Sequence, residues 1–140
     1  MLGLLALLGA LWTAPVCETG FCSCVGPRDV PSSAASADAV FTGRVVRRRN
    51  ITRGGRQIRR VTLRVDRAWK GVGSRTVVVF TGSGGGDCGF PFRRGESYLV
   101  YASANTDGSL GTGICGRTAE LSRAAADLRE LGQPARRWPD

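Results

Sequence analysis

Histidine is absent from the 140 residues of this chain. That removes the commonest general base and the commonest neutral metal ligand. Ser-His and Cys-His nucleophile pairs, and every metal centre built on imidazole, are thereby excluded. Lysine is nearly absent as well, with Lys70 the only one. A phosphate-binding loop needs Gly-Lys-Ser/Thr after its glycines. The run Gly82-Ser-Gly-Gly-Gly86 lacks that ending and reads as a hairpin loop. No Cys-x2-Cys clip occurs, so the spacing does not suit a structural thiolate zinc site. Asp66, Asp87 and Glu96 are well separated in sequence, and nothing supports pairing them for acid-base work. No apolar run reaches the roughly 20 residues that span a bilayer. Residues 2–12 instead have the length of a signal-peptide core. Residues 1–16 are read as a signal peptide or N-terminal hydrophobic segment, and the protein as secreted, extracellular or on the cell surface.

What the chain does have is arginine and cysteine. Lys+Arg number 20 against Asp+Glu 11, a net charge of +9. Such an excess raises a nucleic-acid reading. The arginines are scattered, however, and export argues the other way, so no nucleic-acid partner is assigned. Five cysteines in a short exported chain point to disulfides. Cys17, nearest the hydrophobic segment, is the odd one and is expected not to pair inside the domain. Cys22 and Cys24 face two distant single cysteines, Cys88 and Cys115. The plain reading is two long-range bridges that pin the N-terminal segment to the body of the domain.

The apolar pattern predicts five strands. Residues 40–46 are β-branched and aromatic, and residues 58–69 alternate with Val61, Leu63 and Val65 on one face. Residues 76–81, 97–102 and 110–115 supply the rest, and residues 50–55 read as a loop. A small-residue stretch, 31–37, precedes the first strand. Residues 118–131 read as a helix with Thr118 as N-cap and Leu121, Leu128 and Leu131 buried. Five antiparallel strands and a C-terminal helix suit a disulfide-stapled, five-stranded Greek-key barrel of the OB type over residues 22–132. Residues 133–140 read as a loose tail. Phe41, Trp69, Phe80, Tyr98 and Tyr101 fall in strands and are mostly expected in the core.

Six segments, in order, then carry a resemblance. They are Cys22-Ser-Cys24-Val-Gly-Pro27, Ala39-Val-Phe-Thr-Gly43, Ala68-Trp-Lys-Gly71, Asp87-Cys-Gly-Phe90, Tyr98-Leu-Val100 and Thr112-Gly-Ile-Cys115. Together they resemble the tissue inhibitors of metalloproteinases and, more broadly, netrin-like domains. The resemblance implies an OB-like barrel with the bridges Cys22–Cys88 and Cys24–Cys115. It also implies a mechanism: when processing makes Cys22 the first residue, its α-amine and carbonyl oxygen chelate the zinc of a metalloprotease. Ser23 would point toward the specificity pocket of the protease. Cys24, Val25 and Asp87, the last just before Cys88, would flank the cleft. The expectation is a monomer that binds a surface or extracellular protein, a zinc metalloprotease, with no catalytic residue, metal or cofactor of its own. The alternative is a netrin-like module that binds proteins or polyanions without inhibiting anything.

Overall fold

Apolar residues at every second position make β2 (Arg56–Lys70) a strand with one buried face, on which Val61, Leu63 and Val65 are all buried. The computed structural model describes residues 22–26, 29–84 and 86–140. The expected signal segment and Cys17 lie outside them. The order along the chain is α1 (Val30–Ser36), β1 (Ala39–Arg53), β2, β3 (Thr76–Gly82), β4 (Ser97–Ala104), β5 (Leu110–Gly111) and β6 (Ala119–Glu120). A 3-10 turn (Leu121–Arg123), α2 (Ala125–Leu131) and β7 (Arg136–Arg137) complete it. Among the described residues no helix is long and apolar enough to cross a membrane.

Five strands close a ring: β1 pairs β2, β2 pairs β3, β3 pairs β5, β5 pairs β4, and β4 returns to β1. Register shifts between Val40 and Phe41, Thr42 and Gly43, and Val45 and Arg47 bend β1. Such bulges bend a strand and increase its local twist. The interior holds Phe41, Val45, Val61, Leu63, Val65, Val79, Phe92, Tyr98 and Val100. Each contributes on the order of 1.5–3 kcal/mol through burial. Residues 98–102 form an unbroken apolar run because both faces of β4 are covered. Tyr98, Val100 and Ala102 face the interior, while Leu99 and Tyr101 pack with Ala37, Ala124 and Leu128 around the two helices.

Several expectations need correction. The ring is not antiparallel throughout, because β3 and β5 pair in parallel, Val79 with Leu110 and Phe80 with Gly111. Strict alternation cannot close a ring with an odd number of strands, so one junction must be parallel. The strand expected over 110–115 stops at Gly111, where the chain turns to deliver Cys115. The loop expected over 50–55 is mostly paired strand: β1 and β2 continue together as far as Arg53 opposite Arg56. They turn only at Gly54 and Gly55, whose φ values of 57° and 75° suit a two-residue hairpin turn.

The expected single helix over 118–131 is broken into β6, the 3-10 turn and α2. Thr118 is not its cap; its buried hydroxyl accepts from the Tyr101 backbone N–H at 3.0 Å. Leu121, Leu128 and Leu131 are half-buried. Residues 133–140 are not loose: β7 pairs with Arg67 and Ala68, and Trp138 donates its backbone N–H to Asp66 at 2.8 Å and packs on the core. The stretch 31–37 contains α1, capped by Asp29 accepting from Ser32 N–H at 2.7 Å. Of the strand aromatics, Phe41, Tyr98 and Tyr101 are buried, while Trp69 and Phe80 are half-buried.

Candidate functional site: the disulfide-clamped edge

The segment Cys22–Gly26 has no secondary structure of its own, and two covalent bonds hold it. Cys22 is bonded to Cys88 and Cys24 to Cys115, with Cα–Cα distances of 5.1 and 5.0 Å. These are the two pairs that the resemblance implies. The bridges touch each other, since the Cys115 sulfur lies 3.5 Å from that of Cys22 and 3.7 Å from that of Cys88. The sulfurs of Cys22, Cys88 and Cys115 all fall within 4.8 Å of one another. Paired as disulfides, they present no thiolate to a metal.

The surfaces that receive the segment are built closely. Cys88 is the one non-glycine residue with positive φ, 61°, among the described residues. Its carbonyl accepts from Ile114 N–H at 2.9 Å, which ties the two receiving loops together. A Cβ on Gly113 would stand 2.5 Å from that same carbonyl oxygen, so glycine is required there. Arg117, two residues past Cys115, grips Asp127 of α2 side-on, donating from Nε and Nη2 at 2.8 and 2.6 Å. Tyr101 Oη donates to the same carboxylate at 3.1 Å. The Arg117 hydrogen bonds hold the Asp127 carboxyl below the usual carboxylate range, against an opposing push from burial. Burial and the neighbouring Asp127 charge push the Tyr101 phenol up.

Four of the five expected binding residues meet at this edge. Ser23 and Cys24 are exposed, Cys22 is half-buried, and Val25 is 93% exposed. Asp87 is adjacent in sequence to Cys88, but its side chain turns back into its own loop. It accepts from the backbone N–H groups of Ser83, Gly84 and Gly89 at 2.7, 3.0 and 3.1 Å. Desolvation raises the Asp87 pKa, but these hydrogen bonds outweigh it and leave the carboxyl below its ordinary value. Asp87 is exposed, and these bonds hold its carboxylate within the loop that carries Cys88.

Sequence reasoning missed two contributors. Ile114 is 50% exposed, an unusual position for isoleucine, and immediately precedes Cys115 as Val25 immediately follows Cys24. One bridge therefore carries an exposed apolar side chain on each of the two segments it joins. The motif Thr112-Gly-Ile-Cys115 held that signal, because an isoleucine beside a surface cysteine has no core to enter. The second is the Arg117–Asp127 brace, for which the sequence offers only an unremarkable charge pair. Neither a protein-family model nor a curated protein sequence matches this chain.

Proposed function

We propose that this protein is an exported inhibitor-type binding protein, resembling the tissue inhibitors of metalloproteinases, whose Cys22–Val25 edge enters the cleft of a zinc metalloprotease. The observation that carries the reading is the edge itself: a Cys-Ser-Cys-Val segment, exposed from Ser23 onward, clamped by two touching disulfides. Immobilising the segment before binding removes an ordering cost that a free N-terminus would incur on association. The exposed pair Val25 and Ile114 supplies apolar contact beside it. The strand order β1-β2-β3-β5-β4, closed on β1, supports an OB-like Greek-key barrel as the scaffold. Two disulfides favour an oxidising compartment, in line with export.

The chemistry rests on the α-amine of Cys22 once processing frees it. An α-amine titrates near pH 8, so a useful fraction is neutral at physiological pH and its lone pair can enter the protease zinc shell. An amide nitrogen has no such lone pair. The test compares three forms against a panel of zinc metalloproteases: one beginning at Cys22, one with a single alanine ahead of it, and one with the amine acetylated. Inhibition is expected from the first alone, with circular dichroism unchanged across the set. Inhibition that survives a blocked amine overturns the chelation step. Absence of inhibition by the form that begins at Cys22 overturns the inhibitor reading.

A further inference from the structure

Arg44 on β1 and Arg64 on β2 stand directly opposite each other in the sheet register. Cross-strand partners share a face, and like charges so placed are destabilising. Two more arginines, Arg75 and Arg94, converge on the same place, and the four line a surface pocket of about 650 Å³. None of the four forms an ion pair among the described residues. Arg44 spends its Nε on the Gly95 carbonyl at 2.9 Å, which fixes the guanidinium at the pocket wall. Arg75 is half-buried, and its Nε is buried with no hydrogen-bond partner.

Two carboxylates, Asp66 and Asp140, also line this pocket. Asp66 is already engaged, accepting from Thr42 Oγ1 and lying 3.5 Å from Arg67 Nε. Four arginines against the side chains of two aspartates leave a positive excess at the pocket. Guanidinium forks match tetrahedral oxyanions, to which they bond in pairs.

We propose that this pocket binds a tetrahedral oxyanion, the sulfate or phosphate group of an ester. The site is independent of the Cys22–Val25 edge, since it shares no residue with it. It also differs from diffuse polycation behaviour, because the long β1–β2 hairpin carries other arginines, Arg56 among them, that lie outside the pocket.

The test is a calorimetric titration of the disulfide-bonded protein with inorganic sulfate and with inorganic phosphate, ionic strength held constant with chloride. A sulfated disaccharide and a sugar phosphate follow, each beside its unesterified parent. Saturable binding of at least one inorganic anion is expected. Its ester should bind where the parent does not, and the ester that binds more tightly identifies the source. Arg75→Gln and Arg64→Gln should each weaken binding by about tenfold or more. Arg56→Gln, the same change of charge outside the pocket, should leave it unchanged. Arg64→Gln also relieves the clash with Arg44, so its thermal midpoint should equal or exceed that of the parent while binding falls. Binding weakened equally by Arg56→Gln overturns the proposal in favour of non-specific charge. Absence of saturable binding to either inorganic anion also overturns it.

Discussion

The two disulfides span 66 and 91 residues, and treated separately they should each stabilise the fold by a little over 4 kcal/mol. On the chain-entropy account the figures are about 4.3 and about 4.6 kcal/mol. They are not separate, however. Once Cys22–Cys88 exists, the shortest covalent path from Cys24 to Cys115 runs through it. That path crosses the two-residue step of the Cys-x-Cys segment and the 27 residues between Cys88 and Cys115. The second bridge therefore closes a circuit of about 30 residues, worth about 3.6 kcal/mol. The same circuit is closed whichever bridge forms second. Replacing Cys22 and Cys88 by alanine should thus cost about 3.6 kcal/mol, and replacing Cys24 and Cys115 should cost the same, although their spans differ. Removing the remaining bridge from either variant should cost about 1 kcal/mol more than the first removal did. The full loss of about 8 kcal/mol is comparable with the whole stability of an ordinary domain. Urea unfolding of the parent and the two single-bridge variants gives the first comparison, and the four-alanine chain the second. The nested-circuit reasoning fails if either bridge can be removed at no cost. It also fails if the second removal costs less than the first.

Two further perturbations probe the supports of the edge. Asp127→Asn should cost about 1–3 kcal/mol through the loss of charge-assisted bonds from Arg117. Because the folded pKa of Asp127 is depressed, its contribution is complete above the ordinary value of 3.8 and is lost as pH falls through the lower folded value. The gap between parent and variant in urea midpoint should therefore be wide at pH 6 and narrow toward pH 3; a gap independent of pH contradicts the assignment. Gly113→Ala drives a Cβ into the Cys88 carbonyl and should cost about 1–3 kcal/mol. An unchanged thermal midpoint for that variant would show that the receiving loops are not packed as described.

Much of the barrel was legible because its strands obey simple periodicity. Val61, Leu63 and Val65 announce a half-buried strand by alternation alone, and all three are in the interior. The run Tyr98–Ala102 reads as a buried strand for a different reason, its second face being covered by helices that local sequence does not reveal. The failures are equally physical. Residues 50–53 look like loop because arginine, asparagine and threonine signal exposure. Exposure and pairing are independent, though, and a two-stranded ribbon can be wet on both faces. Thr118 looks like a cap because capping is a local property, whereas its hydroxyl is captured by Tyr101 seventeen residues away in sequence. The tail looked loose because Arg136 and Arg137 are polar. What holds it is Trp138, whose partner Asp66 lies far back on β2. At the site, cysteine spacing revealed the clamped edge, but no local pattern could show that Arg44 and Arg64 would face each other. That follows from the β1 register, which the bulges reset.

The edge and the parity of the ring are connected. An odd ring needs one parallel junction, and here it falls between β3 and β5. Parallel neighbours leave the sheet at the same end. The segment following β3 carries Cys88, and the segment following β5 carries Cys115, so both cysteines emerge side by side. The hydrogen bond from Ile114 N–H to the Cys88 carbonyl records that proximity. With β3 and β5 antiparallel, the two exits would be separated by the length of β3, roughly 20 Å at about 3.3 Å per residue. The Cα atoms of Cys22 and Cys24 can be no more than about 7 Å apart in an extended chain. One Cys-x-Cys segment could then reach both cysteines only if the residues from Gly82 to Cys88 ran back along the sheet. The parallel junction thus sends both receiving loops off one end of the sheet, where a single Cys-x-Cys segment meets them. A chain reconnected so that β5 ran antiparallel to β3 would keep all four cysteines but would have to lead one of them back along the sheet before both bridges could form.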